Sequence, residues 1–304
     1  MSDLENFIPQ ITADGSFTFV SQEFGEMFHS HFGAKQESFF KFVVPTELAK
    51  SAQKPVLRLL DICYGLGYNT AAALQTIWDV NPVCQVQLIG LELNPRVPQA
   101  AIAHELFDNW NYEYTQILSQ LAFEQTVKTD RLEAQLLIGD ARRLIRDVYE
   151  SGFQADAIFL DPFSPPQCPQ LWTIEFLQKV ADCLHPDGLL ATYSCAAAVR
   201  TGLLAAGLEI GSTPPVGRRS PGTIAAYPKD LSTPTPLPPL SPQEQEHLQT
   251  RAAIAYRDPK LNDTADVILL RREREQQACS LEPTSLWRKR WLKVYQSRES
   301  DDCK

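Results

Sequence analysis

The sequence predicts an α/β fold, a mostly parallel sheet whose strands are joined by crossover helices. Short apolar runs recur at 56–61, 86–92, 134–140, 156–161, 188–194 and 223–228, each about the length of a buried strand. Longer amphipathic stretches separate them, as parallel pairing requires. A hydrophobic content of 44% in 304 residues supplies a core for one such domain with an appendage, or for two small ones.

In chain order, ITADGSFTFV (11–20) sets Asp14-Gly15 between β-prone stretches, the pattern of a two-residue hairpin. FHSHFGAKQES (28–38) then leads into a helical stretch reaching Leu48 before the alternation begins. After the last run, six prolines between Tyr227 and Gln243 forbid helix and central strand and predict a stiff, extended linker. Residues 243–257 and 262–277 then read as two helices, the second capped by Asn262 or Asp263. WRKRWLKVY (287–295) interleaves aromatic and basic residues. The expected division is 1–50, a small N-terminal β element and lid; 51–228, the sheet domain; and 229–304, the linker with a helical, basic C-terminal extension.

Seven cysteines form no C-x-x-C pair and read as reduced thiols, so no metal site is expected. No apolar run approaches the roughly 20 residues of a membrane helix, and the first ten residues lack a basic-then-apolar leader. These features predict a cytoplasmic protein with no membrane contact. A net charge of −9 argues against coating nucleic acid through bulk electrostatics. Locally the balance reverses: 271–298 carries eight Lys/Arg against three Glu, which suits a solvated helix face or an arm touching a polyanion.

The chemistry concentrates at strand ends. DICYGLGYNT (61–70) follows a buried-type strand and opens an Ala-rich helix, so Gly65 and Gly67 stand where the backbone turns sharply beside a ligand, with Tyr64 and Asn69 in the same loop. A dinucleotide fingerprint would carry a third Gly where this chain has Thr70. Acids at successive strand ends favour S-adenosyl-L-methionine instead. Glu92 is placed to accept the ribose hydroxyls, Asp61 to lie near the ammonium and Asp140 to receive the adenine amino group. Strand-end acids also cap helices, and that reading stays open for Asp140. In DAIFLDPFSPPQCPQLW (156–172) an apolar strand delivers Asp161 into a proline-rich loop, where a carboxylate can orient a substrate amine. Phe163 and Trp172 are placed to pack on a flat substrate and to wall the pocket, or to serve as core.

Taken together, FHSHFGAKQES, DICYGLG, LDPFSPPQCPQLW, HPDGLLATYSCAAAVRTGLLAAGL and VGRRSP resemble the methyltransferase domain of the MnmC family, from about Ile11 to Tyr227. The resemblance implies a class I, Rossmann-like methyltransferase that uses S-adenosyl-L-methionine to methylate the aminomethyl nitrogen of 5-aminomethyl-2-thiouridine in tRNA. It implies that Asp161 is the active-site aspartate and that His29, Ser30 and Glu37 lie over the mouth of the site. Arg200, Arg218 and Arg219 become candidates to hold tRNA phosphates. The family carries Gly or Ala after the aspartate; this chain carries Pro162, which stiffens the loop. The segment after Tyr227 is too short for the flavin-dependent oxidase of the larger family members, so a stand-alone form acting on an already exposed amine is expected. The extension has no counterpart in the family and suits clamping tRNA, docking a protein partner or covering the sheet edge. Two other readings fit the same residues: a methyl- or aminopropyl-transferase for small amines, and a non-catalytic scaffold.

Overall fold

A computed structural model describes residues 7–217, 220–229 and 237–301. The chain opens with β1 (Gln10–Ile11) and β2 (Phe17–Thr18), paired antiparallel with Ile11 opposite Phe17. Five residues rather than two connect them, because the turn is built around a side chain. Asp14 accepts hydrogen bonds from Thr12 Oγ1 (2.9 Å) and Ser16 N (3.0 Å), and from Gln36 N (2.8 Å) in the next element. That element, α1 (Ala34–Glu37), runs straight into a π-helical turn at Ser38–Val43, and α2 (Leu48–Ser51) follows.

The sheet begins with β3 (Val56–Ile62), α3 (Tyr68–Val80) and β4 (Gln85–Glu92). The helices α4 (Arg96–Ala103) and α5 (Tyr112–Glu124) lead to β5 (Thr126–Lys128) and β6 (Leu132–Ile138). Next come α6 (Ala141–Glu150), β7 (Ala155–Leu160), a 3-10 turn at Pro169–Trp172, α7 (Ile174–Asp182) and β8 (Leu184–Thr192). Helix α8 (Ala197–Ala205), β9 (Glu209–Thr213) and β10 (Gly222–Ala226) complete it.

The strand order is β5-β6-β4-β3-β7-β8-β10-β9. Strands β6, β4, β3, β7 and β8 are parallel; β5 and β10 run against their neighbours. The run at 223–228, expected to be parallel, is therefore antiparallel, pairing Ile224 with Ala191. Too few residues separate β9 from β10 for a crossover helix, so the chain doubles back. Side-chain alternation along β3 sends Leu57 and Leu59 into the layer that holds Phe159 and the alanines of α3. Leu60 and Ile62 enter the layer of Phe176 and Trp172. This central strand is buried on both faces, and its carboxyl end opens the functional crevice.

Beyond the described break, Leu237 and Pro238 run along β9, where Ser212 N donates to the Pro238 carbonyl at 3.0 Å. Of the helix expected over 243–257, α9 (Pro242–His247) forms and a 3-10 turn at 251–253 follows, joined by α10 (Ala265–Ala278) and α11 (Thr284–Asp301). The cap of α10 is Thr264, not Asn262 or Asp263. The backbone N–H groups of those two residues point back to Asp258 Oδ1, and the Asp263 carboxylate pairs with Arg271 at 2.7 Å. Part of the basic tail is likewise spent internally: Arg272 lies over the Tyr256 ring, and Arg290 bridges Glu246 and Glu282. No helix among the described residues is long and apolar enough to cross a membrane.

Candidate functional site

From β3 the chain winds outward to β4 and β6, then returns across to β7. In open α/β sheets, ligands bind at such a reversal, beyond the carboxyl ends of the strands. A cavity of about 570 Å³ lies there. Its floor is Cys63 and Gly65 after β3, Glu92 at the end of β4, Asp161–Ser164 after β7 and Tyr193 after β8. Its roof is the N-terminal segment from Val20 to His31, with Glu37 and Lys41.

The loop after β3 is shaped by Gly67 at φ +101°, where an added Cβ would stand 2.8 Å from the Tyr64 hydroxyl. Tyr64 is folded beneath the loop against Gly90 and does not line the cavity. Glu92 ties the loop to β4, accepting from Gly65 N at 2.8 Å and Asn94 N at 2.9 Å, while burial raises its pKa. Asp61 sits one layer deeper. It is fully buried and accepts from Thr70 Oγ1 at 2.8 Å, but its Oδ1 has no partner. Burial, reinforced by the charge of Glu92, pushes it up to about 7.

Asp161 faces the cavity, with Asn69 Nδ2 donating to its Oδ2 at 2.9 Å. Burial drives its pKa well above the usual carboxylate range. The Asn69 hydrogen bond and the Lys41 charge oppose this, and the Asp61 and Glu37 charges add to it. The loop beyond it is held from three directions. Tyr193 Oη donates to the Pro162 carbonyl at 2.9 Å, Trp172 Nε1 to the Phe163 carbonyl at 2.8 Å, and Ser164 N to Glu26 of the roof at 3.0 Å. The Phe163 ring stacks on Phe24 at 4.5 Å and meets Phe28 edge-on at 5.0 Å, so roof and floor share an aromatic wall.

The roof carries its own polar cluster. His29 bonds Thr18 through Nδ1 at 3.3 Å, and burial holds its pKa down at about 4, so it is neutral near pH 7. Ser30 donates through both N and Oγ to Glu37, whose other partner is the Lys41 ammonium at 2.8 Å. Burial alone would raise Glu37; Lys41 and these hydrogen bonds more than reverse it.

Of the residues expected at the site, Gly65, Glu92, Asp161, Phe163, His29, Ser30 and Glu37 meet in one cavity, with Asn69 joined through Asp161. Besides Tyr64, two expectations are corrected. Trp172 is fully buried in the core beneath the loop and does not wall the pocket. Arg200 is 2% exposed and turned inward to Glu244, Thr223 Oγ1 and the Gly222 carbonyl, so burial keeps it from a phosphate. Asp140 takes the capping role left open for it, accepting from Arg142 N at the start of α6 and gripping the Arg142 side chain, which is itself held by Asp258. Arg218 and Arg219 lie outside the described residues. Sequence reasoning missed Lys41, Glu26, Phe24, Phe28 and Tyr193. Only Lys41 carried a signal, its i,i+4 spacing from Glu37.

Five acids, Glu23, Glu26, Glu37, Glu92 and Asp161, thus line a cavity that suits a positively charged ligand. Among the described residues no group of His, Cys, Asp and Glu is arranged to hold a metal ion. A family model described as S-adenosyl-L-methionine-dependent methyltransferase matches residues 104–228. The crystal structure of MNMC2 from Aquifex aeolicus is similar with a TM-score of 0.77 and 32% identity, covering 90% of this chain and 86% of that one. The uncharacterised protein MJ0670 of Methanocaldococcus jannaschii is 31% identical over 266 residues, covering 86% of this chain and 70% of that protein. The tRNA 5-methylaminomethyl-2-thiouridine biosynthesis bifunctional protein MnmC of Methylibium petroleiphilum is 28% identical over 232 residues. The match covers 71% of this chain and 34% of that protein, so the chain spans about a third of its length.

Proposed function

Because the chain belongs to the MnmC-like family of S-adenosyl-L-methionine-dependent methyltransferases, we propose that it methylates the aminomethyl nitrogen of 5-aminomethyl-2-thiouridine at the tRNA wobble position. Its fold is the class I, Rossmann-like one, and its cofactor is S-adenosyl-L-methionine. The residues present fit that cofactor: the cavity wall is acidic, and two buried acceptors beside it, Asp61 Oδ1 and Asn69 Oδ1, lack partners. Glu92, on the wall, would hold the ribose hydroxyls, and Asp61, one layer behind it, would support the ammonium side of the site without touching the ligand.

When bound, the cofactor supplies a methyl group on a sulfonium, an electrophile that needs no further activation. The protein must then present an unprotonated amine. Asp161 accepts an N–H of that amine, which directs the nitrogen lone pair away from the carboxylate and toward the methyl carbon. After the N–C bond forms, the nitrogen sheds a proton, and a carboxylate deprived of water is a stronger base for taking it. Phe24, Phe28 and Phe163 form an apolar wall suited to a flat base and exclude water from the nucleophile. With tRNA as substrate, the protein works in the cytoplasm.

The observation that carries this reading is the Asp161 carboxyl on the cavity floor, oriented by Asn69. The test is methyl transfer to tRNA that bears the unmethylated amine, read by nucleoside mass spectrometry, beside an assay on polyamines. Formation of 5-methylaminomethyl-2-thiouridine is expected. Asp161→Asn should slow it at least about a hundredfold, with cofactor affinity by calorimetry within about threefold of the parent. Methylation of polyamines alone, or of neither substrate, would overturn the reading.

A further inference from the structure

Lys41 is out of character with the cavity it lines. Among the described lining residues it is the lone lysine or arginine, facing a wall of carboxylates. Its side chain is 6% exposed, and its hydrogen-bond partner among the described residues is Glu37 Oε1 at 2.8 Å. An ammonium carries three donors, so two remain for whatever enters the cavity. Anchoring the roof does not require a charge: an apolar pair of similar volume often holds a structure as well as a buried ion pair. The residue also sits in the π-helical turn, a conformation frequent at functional sites.

We infer that Lys41 is a substrate-positioning residue, donating a hydrogen bond to the C4 carbonyl oxygen of the uracil ring whose aminomethyl group Asp161 receives. This rests on the tRNA reading above. The amine hangs from C5, beside the C4 carbonyl, and its N–H can close an internal hydrogen bond onto that oxygen. A donor from the protein replaces this bond, frees the amine for Asp161 and sets the rotation of the ring. The carboxylates around it would repel the carbonyl oxygen. The neighbouring His29 is neutral and tied to Thr18, and the Tyr193 hydroxyl is given to Pro162.

The experiment pairs two substrates with four proteins. The substrates are tRNA bearing 5-aminomethyl-2-thiouridine and its 2,4-dithio counterpart, in which sulfur, a weaker acceptor, replaces O4. The proteins are the parent, Lys41→Met, Lys41→Arg and Glu37→Gln/Lys41→Met, the last leaving no buried charge unpaired if the single variant folds poorly. Lys41→Met and the double variant should lower kcat/KM on the first tRNA by about ten- to a hundredfold, and Lys41→Arg should recover part of it. The dithio tRNA should cost the parent a similar factor but Lys41→Met less than about threefold, with cofactor affinity unchanged. Normal kcat/KM in Lys41→Met, or a dithio penalty as large there as in the parent, overturns the inference while the tRNA reading stands. A parent protein inactive on both tRNAs removes the tRNA reading, and the inference with it.

Discussion

At the carboxyl end of the central strand, Asp61 is a carboxyl group kept from water with one oxygen unpartnered. Its pKa of about 7 when folded stands against about 3.9 in an unfolded chain. Between those values the native state binds more protons than the unfolded one, so stability falls as pH rises from about 4 through about 7. In cofactor-free protein, Asp61→Asn keeps an acceptor for Thr70 and removes the ionisation. Urea midpoints at pH 5 and pH 8 should therefore differ less in the variant than in the parent; an equal drop in both would contradict the assignment. The chain order already pointed to Asp61, Glu92 and Asp161 as strand-end acids. It did not reveal that Asp61 lies behind the wall while Glu92 and Asp161 form it, because depth depends on how neighbouring side chains stack.

At the scale of elements, the loop between β3 and α3 is tightly constrained at Gly67. Gly67→Ala would force a Cβ to within 2.8 Å of the Tyr64 hydroxyl and 3.2 Å of Leu118, at a φ that L-residues rarely adopt. A loss of about 1–3 kcal/mol is expected, measured as a lowered urea midpoint together with weaker cofactor binding. A variant as stable as the parent would show that the loop tolerates another conformation. All six apolar runs became strands, since length and apolar content are local properties. Strands β5 and β9 were missed: three residues in one and the polar EIGST segment in the other carry too little pattern. The direction of β10 was missed because pairing partners are chosen by the sheet and not by the strand.

At the scale of the whole molecule, the C-terminal segment is stitched to the sheet domain by charges. Arg200 of α8 pairs with Glu244 of α9 at 2.7 Å, and Arg142 of α6 with Asp258 at 2.9 Å. Burial would raise Glu244, but hydrogen bonds from Ser212, Ser241 and Arg200 bring it to about 2. Its contribution is complete above the unfolded value near 4.3 and is lost as pH falls toward about 2. Arg200→Met leaves that carboxylate without its cation, held by Ser212 and Ser241 alone, and should cost about 3 kcal/mol at pH 7, read from urea unfolding. The deficit should shrink on acidification. Because Arg200 is buried, tRNA affinity of the folded variant should stay within about twofold of the parent; a tenfold loss would restore it as a phosphate contact.

Local order along the chain determined the alternation of strands and helices, the glycine bend after the first long strand, and the acids at the strand ends. Those features depend on spacing and residue type, which no fold is needed to read. Tertiary structure decided the rest: that Trp172 and Arg200 are interior, that Asp140 is occupied by Arg142, and that Phe24, Phe28, Glu26 and Lys41 from the first fifty residues close over Asp161. These are meetings between segments far apart in sequence, and burial and pairing energies that depend on such meetings cannot be inferred from either segment alone.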